Sequence, residues 1–252
     1  SHLLARTTPK AQMSLVFSIK QTGVPLGSML AGAIVPPLAL LIDWQLSMLV
    51  VAALCLVCAG VSQSLRAELD SDRQADLHIR WGSLIEPIRM VLAHRALLTM
   101  AACSFMFSMV QLSLTTYLVT FLHDDLSYGL VAAGLALSVT QLGGIGGRVV
   151  WGYVADRWLG ARRMLLLLAS MMALGALASV FLTTETPHGV VIAILVGFGA
   201  SAIGWNGVYL AEVARRAPPG MASMATGGTL AFTFLGVVLG PPLFGALSGL
   251  FG

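Results

Sequence analysis

Charge is what this sequence has least of. Its 252 residues include 14 Lys or Arg and 11 Asp or Glu, 10% in all, where an average soluble domain carries about 25%. So few charges cannot cover the surface of a soluble fold, and with 57% hydrophobic residues the chain needs lipid as part of its solvent. Cysteine is scarce too. Cys55, Cys58 and Cys103 all lie in apolar runs, so no disulfide framework is expected, and Cys55-x-x-Cys58 reads as helix packing, not as a redox pair. No H-E-x-x-H or G-x-S-x-G occurs and no histidine falls inside an apolar run, which argues against an enzyme and leaves no metal or cofactor to expect. His123 beside Asp124 and Asp125 reads as an exposed acidic loop. The net charge of +3 comes from dispersed cations without interleaved aromatics, so no nucleic-acid partner is expected. The chain opens at Ser1 with neither a basic n-region nor an apolar h-region, and we expect it to begin partway through a longer protein.

What is present is a series of apolar runs. A helix crossing the hydrocarbon needs about 20 apolar residues, and seven stretches qualify: 11–41, 45–65, 96–121, 127–156, 164–183, 188–211 and 221–250. The predicted architecture is an all-α, polytopic helical bundle. Cytoplasmic loops keep Lys and Arg. Arg6, Lys10, Arg66, Arg73, Arg80, Arg89, Arg95, Arg157, Arg162, Arg163, Arg215 and Arg216 fall in alternate connections, while Asp43, His123-Asp124-Asp125 and Glu185 mark the others. This pattern predicts a multi-pass cell-membrane protein, in a bacterium the inner membrane, with Ser1 cytoplasmic and Gly252 outside.

The one long connection begins with a charged, solvated linker, RAELDSDRQADLHIR. Beyond it Trp81, Leu84, Ile85, Ile88, Val91 and Leu92 recur at helical spacing, which predicts a short interfacial helix. The chain therefore divides into 1–66 with two spans, a linker 67–95, and 96–252 with five spans.

The sharpest motif is Gly152-Tyr-Val-Ala-Asp156-Arg157-Trp-Leu-Gly160-Ala161-Arg162-Arg163. A short turn with one carboxylate and three arginines can hold adjacent helix ends in one arrangement and release them in another, or simply anchor the topology. The segment resembles the G-x-x-x-D-R-x-G-R-R loop of the major facilitator superfamily, with one extra residue before the glycine and Ala161 before the arginine pair. That loop lies between helices 2 and 3 and again between helices 8 and 9. Taken as the second copy, it makes the chain resemble helices 5 to 11, with the charged linker as the central cytoplasmic loop. The family's halves are parallel repeats. A shift of 205 residues superposes Gly23 on Gly228, Leu30 on Leu235, Pro36-Pro37 on Pro241-Pro242 and Leu38 on Leu243.

The resemblance implies a transporter whose halves rock. It gives Asp156 the start of helix 11 near Pro218-Pro219-Gly220, and Glu212 a partner among Arg157, Arg162 and Arg163, with Gly152 in the same gate. Gly236-x-x-x-Gly240 is a small-residue surface for close helix approach, and Pro25 a bending point in mid-span.

Two cations remain inside spans. A charge at mid-bilayer costs about 2.5–3.5 kcal/mol on insertion scales, so Lys20 and Arg148 need a reason. Each is nine or ten residues from a cytoplasmic helix end, about 14 Å deep. Either both face one central cavity or each snorkels to the headgroups. Gln141, Gly144 and Arg148 share a face, read as a polar, open stripe. Gln21, Gln111, Thr115, Trp205 and Asn206 complete a candidate substrate-binding set, although any one of them also suits helix–helix hydrogen bonding. No Asp or Glu lies in a span interior. Two cations without an interior counter-ion predict a small organic or inorganic anion as the partner, besides the lipid bilayer. The function expected is a secondary active transporter working by alternating access as a monomer; the alternative is a transporter-like sensor or receptor without flux. The last span lacks the lysine that a retinal-binding protein would need.

Overall fold

The structure, a computed structural model, describes residues 8–9, 12–27, 38, 41–64 and 81–251. Among them there are helices and turns and no strand. The helices used below are α1 (Met13–Gln21), α2 (Trp44–Ser64), α3 (Trp81–Ala93), α4 (Arg95–Asp124), α5 (Leu130–Val154), α6 (Gly160–Val180), α7 (His188–Ala202), α8 (Asn206–Arg216) and α9 (Ala222–Phe251). A π-helical turn, Ala155–Leu159, joins α5 to α6.

The chain forms two compact units, Leu26–Arg80 and the remainder. In the smaller one, α2 is a 21-residue apolar helix entered through Asp43, whose carbonyl accepts both the Ser47 amide at 3.1 Å and the Ser47 hydroxyl at 2.8 Å. Of its residues Ser47 is buried, while Leu46, Leu49, Leu54, Leu56 and Val61 are more than half exposed. A helix that apolar all round has no solvated face, which is the signature of a membrane span.

The larger unit holds α1 and α3 to α9. Five stretches of the described chain are long and apolar enough to cross a membrane: 45–64, 95–124, 131–180, 188–216 and 222–250. The third contains α5 and α6, both packed on α7, so the chain reverses between them. Gly160, at φ 73°, makes that reversal, in the left-handed region where a side chain is strained.

Small residues set the helix spacing. Gly236 and Gly240 of α9 lie against Phe105, Ser108 and Met109 of α4, as the small-x-x-x-small spacing predicts. Ser108 then donates its hydroxyl to the Thr233 carbonyl at 2.8 Å. On α5, Gly143 sits over Val196 and Gly144 over Ile203 of the α7 segment. The stripe carrying Gln141, Gly144 and Arg148 is therefore closed by a neighbouring helix at Gly144, not open as the sequence suggested.

Three further expectations change. The first predicted span is interrupted: α1 ends at Gln21, Thr22 forms a turn and helix resumes at 23–27. The Pro36-Pro37 pair, Leu30 and the linker 66–80 lie outside the described residues. The sixth predicted span is interrupted as well, because residues 203–205 leave the helix between α7 and α8. Finally, α3 forms at the predicted place, but Val91 is fully buried and packs on Gly228 of α9 while Ile85 and Leu92 stay exposed. Its apolar stripe is divided between protein and surroundings.

Candidate gating and binding site

The π-turn that ends α5 presents Asp156 to the start of α1. Its Oδ2 accepts the Leu15 amide at 2.8 Å and its Oδ1 the Ser14 amide at 3.3 Å, while the same Oδ1 takes Arg215 Nη2 at 2.9 Å. The first amides of a helix have no intrahelical acceptor, and the dipole favours an anion there. The Asp156 side chain is only 7% exposed, so these contacts are little screened.

This corrects the assignment of Asp156 to the helix after Pro218-Pro219-Gly220: the helix start it caps is α1, which packs on α5, α8 and the π-turn. Glu212 is corrected too. It pairs with Arg216 at 2.6 Å and Arg215 at 3.8 Å on its own helix, because three and four residues along a helix share a face. Arg157, Arg162 and Arg163 are exposed, and among the described residues none of them pairs with Glu212. Gly152 lies beside this contact and is required there by size. A Cβ there would come within 2.6 Å of Ser18 Oγ and 3.0 Å of Leu15 Cα, and Gly207 of α8 lies against the same serine.

One turn deeper lies Arg148, 2% exposed. Its Nε donates to the Ile203 carbonyl at 2.9 Å and its Nη1 to the Gln21 carbonyl. Three residues on, Trp151 Nε1 donates to the Ala200 carbonyl at 2.8 Å. The side chain thus points into the junction of α1, α5 and the α7–α8 break, and not into an open cavity shared with Lys20. Lys20, in the last turn of α1, is exposed. Gln21 takes part through its backbone carbonyl.

Of the predicted polar residues, Gln111, Trp205 and Asn206 do come together. Gln111 Oε1 accepts from Trp205 Nε1 at 3.0 Å and from Asn206 Nδ2 at 3.3 Å, tying α4 to the start of α8. Trp205 is 1% exposed and stacks edge-on with Phe107 and Tyr209, both at 5.3 Å between ring centres. Thr115 bonds back to Gln111 and Leu112 carbonyls of its own helix, and Gln141 is half-buried on α5.

Comparison with known proteins adds a family. The family model described as Major Facilitator Superfamily matches residues 1–241. The chain belongs to the major facilitator superfamily. It is also similar to an uncharacterized MFS-type transporter of Mycobacterium tuberculosis (strain CDC 1551 / Oshkosh), 25% identical over 242 residues. That match covers 95% of this chain and 52% of the relative, so the chain spans about half the relative's length. It is a multi-pass, all-α membrane protein of that superfamily.

Two parts of this superfamily member's site escape sequence reading. Arg215 looks like one more topology-setting cation, and only the tertiary fold puts it on Asp156. Tyr209, Ser104, Thr229 and Thr233 form a buried hydroxyl cluster across α8, α4 and α9, in which Thr233 donates to Ser104 Oγ at 2.9 Å. Each is unremarkable alone; their helical registers converge only when the three helices meet. The amide at Gln111 has a testable weight. Gln111→Leu strips the acceptor from the buried Trp205 N–H, at about 1–3 kcal/mol, and from the half-buried Asn206 amide at less. We expect the melting midpoint in detergent to fall by several degrees, and a midpoint equal to the parent's refutes the bonding.

Proposed function

We propose that this chain is the moving core of a secondary transporter that carries a small anionic solute across the bacterial inner membrane by alternating access. Its Arg-bearing end faces the cytoplasm, and the unit works as a monomer. The elements correspond to helices 5 to 11 of the superfamily, divided as 1–66, the linker 67–95, and 96–252. The observation that carries this reading is the Asp156 contact. One carboxylate from the α5–α6 turn caps the start of α1 and pairs with Arg215 at the end of α8. In the proposed division α1 and α5 belong to different halves, so the contact closes the cytoplasmic end and must open when the halves rock.

The anion rests on Lys20, the exposed cation of α1. The Gln111–Trp205–Asn206 group supplies a polar, aromatic wall of the kind that orients a small ligand. The full-length protein in liposomes, preloaded with an unlabelled monocarboxylate, dicarboxylate or inorganic phosphate, is expected to show counterflow of at least one of the labelled ions. Lys20→Gln should weaken its apparent affinity about tenfold, the scale of one charged hydrogen bond. Flux that is unchanged in Lys20→Gln refutes the anion site. Flux of none of these ions, with binding retained, favours a sensor.

A further inference from the structure

We infer that Arg148 is a positioning residue: a staple that joins two helix breaks by bonding a backbone carbonyl at each, leaving Lys20 as the cation available to a substrate. The inference rests on backbone chemistry, independently of whether the solute is an anion.

Consider the two carbonyls that Arg148 holds. Gln21 C=O sits four residues before Pro25, and proline has no N–H, so the ordinary i+4 donor for that carbonyl does not exist. Ile203 C=O sits in the turn between α7 and α8. The first backbone bond of α8 runs from the Tyr209 amide to the Trp205 carbonyl at 3.0 Å, which leaves Ile203 outside the helical ladder. The Ile203 carbonyl is buried and the Gln21 carbonyl half-buried, so a donor lost from either is costly to replace. The guanidinium fork supplies both bonds from one planar group, Nε to Ile203 and Nη1 to Gln21. Trp151, one turn along α5, does the same for Ala200 beside the same break.

The electrostatics agree. Thr22 is the C-cap of α1 and Ile203 that of α7. Each helix C-terminus carries roughly −0.5 of an elementary charge. Helix resumes after each break, so the compensation is local: two carbonyl dipoles facing the guanidinium offset part of the cost of burying it. The same geometry gives the staple a mechanical role, because one of its bonds reaches α1 and the other stays on the α7–α8 segment. It fixes the angle at which α1 meets the bundle two turns below the Asp156 contact.

Pro25 makes the test specific. Pro25→Ala returns an amide N–H to position 25 and so gives the Gln21 carbonyl its own donor. In the full-length protein, Arg148→Met is expected to lower the melting midpoint in detergent by roughly 5 °C, the scale of one buried and one half-buried acceptor left without a donor. Adding Pro25→Ala to it should recover about half of that loss, one acceptor of the two, while Pro25→Ala alone leaves the midpoint at or above the parent's. Spin labels at Ile19→Cys on α1 and Val150→Cys on α5, both exposed, in a background without Cys55, Cys58 and Cys103, report the angle directly. Their distance distribution should broaden in Arg148→Met and narrow again with Pro25→Ala. An Arg148→Met protein with the parent's midpoint and distances overturns the inference, and so does a loss that Pro25→Ala fails to rescue. Loss of anion counterflow at unchanged midpoint and distances assigns Arg148 to the substrate instead. Failure of the Lys20→Gln experiment leaves these outcomes untouched.

Discussion

Asp156→Ala is expected to open the Arg-bearing end of the bundle. The substitution removes the acceptor for the Ser14 and Leu15 amides and the partner of Arg215 in one step. Loss of a helix cap costs about 1 kcal/mol and a charged hydrogen bond about 1.5–3 kcal/mol, together about 3 kcal/mol. The carboxylate is 7% exposed, so solvent recovers little of this. A bias of that size changes the ratio of closed to open populations by ~10²-fold. Met13, the first residue of α1, is 5% exposed and sits in the core cluster beside the latch. In a protein otherwise free of cysteine, Met13→Cys should react slowly with a membrane-impermeant maleimide when Asp156 is present and ~10²-fold faster in Asp156→Ala. Asp156→Asn keeps an oxygen for the amides but loses the charge, and should fall between. Equal labelling rates with and without the carboxylate would show that Asp156 holds nothing shut.

The second large effect is steric. A methyl group at Gly207 would overlap Ser18, including its Cα, and neither a rotamer change nor trimming the serine relieves a clash with backbone. Gly207→Ala must push α8 off α1, and overpacking of this kind costs about 1–3 kcal/mol. We place the cost at the upper end, because the clash includes the Ser18 Cα. Gly227 on α9 has open space around its ideal Cβ, so Gly227→Ala is the matched control and should be neutral or slightly stabilising. Monodisperse yield and melting midpoint in detergent are the measurements. A Gly207→Ala protein that behaves like the Gly227→Ala control would mean that α1 and α8 are not in contact.

Of the residues in these two predictions, only Asp156 was conspicuous in the sequence. Asp156 stands out as the lone carboxylate among arginines, and the family resemblance gives it a helix start to cap, yet it was matched to the wrong helix. The loop motif is local, whereas the amides it caps are 141 and 142 residues away. No spacing rule reaches across that distance. Gly207 and the break at 203–205 have a faint signal, Gly204-Trp205-Asn206-Gly207 inside an apolar run, but hydropathy treats 188–216 as one span and overrides it.

Arg148 is the clearest division between the two kinds of information. From the sequence it is a cation with no carboxylate at its depth, and the simplest completion is an anion from outside. The tertiary structure supplies a different completion, two carbonyls left without donors at helix ends on separate elements. The residue types were legible, and Pro25 marks the Gln21 carbonyl as lacking its i+4 donor. That Arg148 supplies the bond was not legible, because the two are 127 residues apart.

The amino-acid sequence by itself determined the solvent, the all-α architecture and the alternation of basic and acidic ends, since each follows from composition and from the length of apolar runs. It also identified the Gly236-x-x-x-Gly240 contact surface and the family. What only the tertiary structure decided is which helix start Asp156 caps, which arginine it pairs with, and which carbonyls Arg148 bonds. Those depend on how helices distant in sequence pack at particular glycines, and hydrogen bonds with a reach of about 3 Å exist only after that packing has brought the groups together.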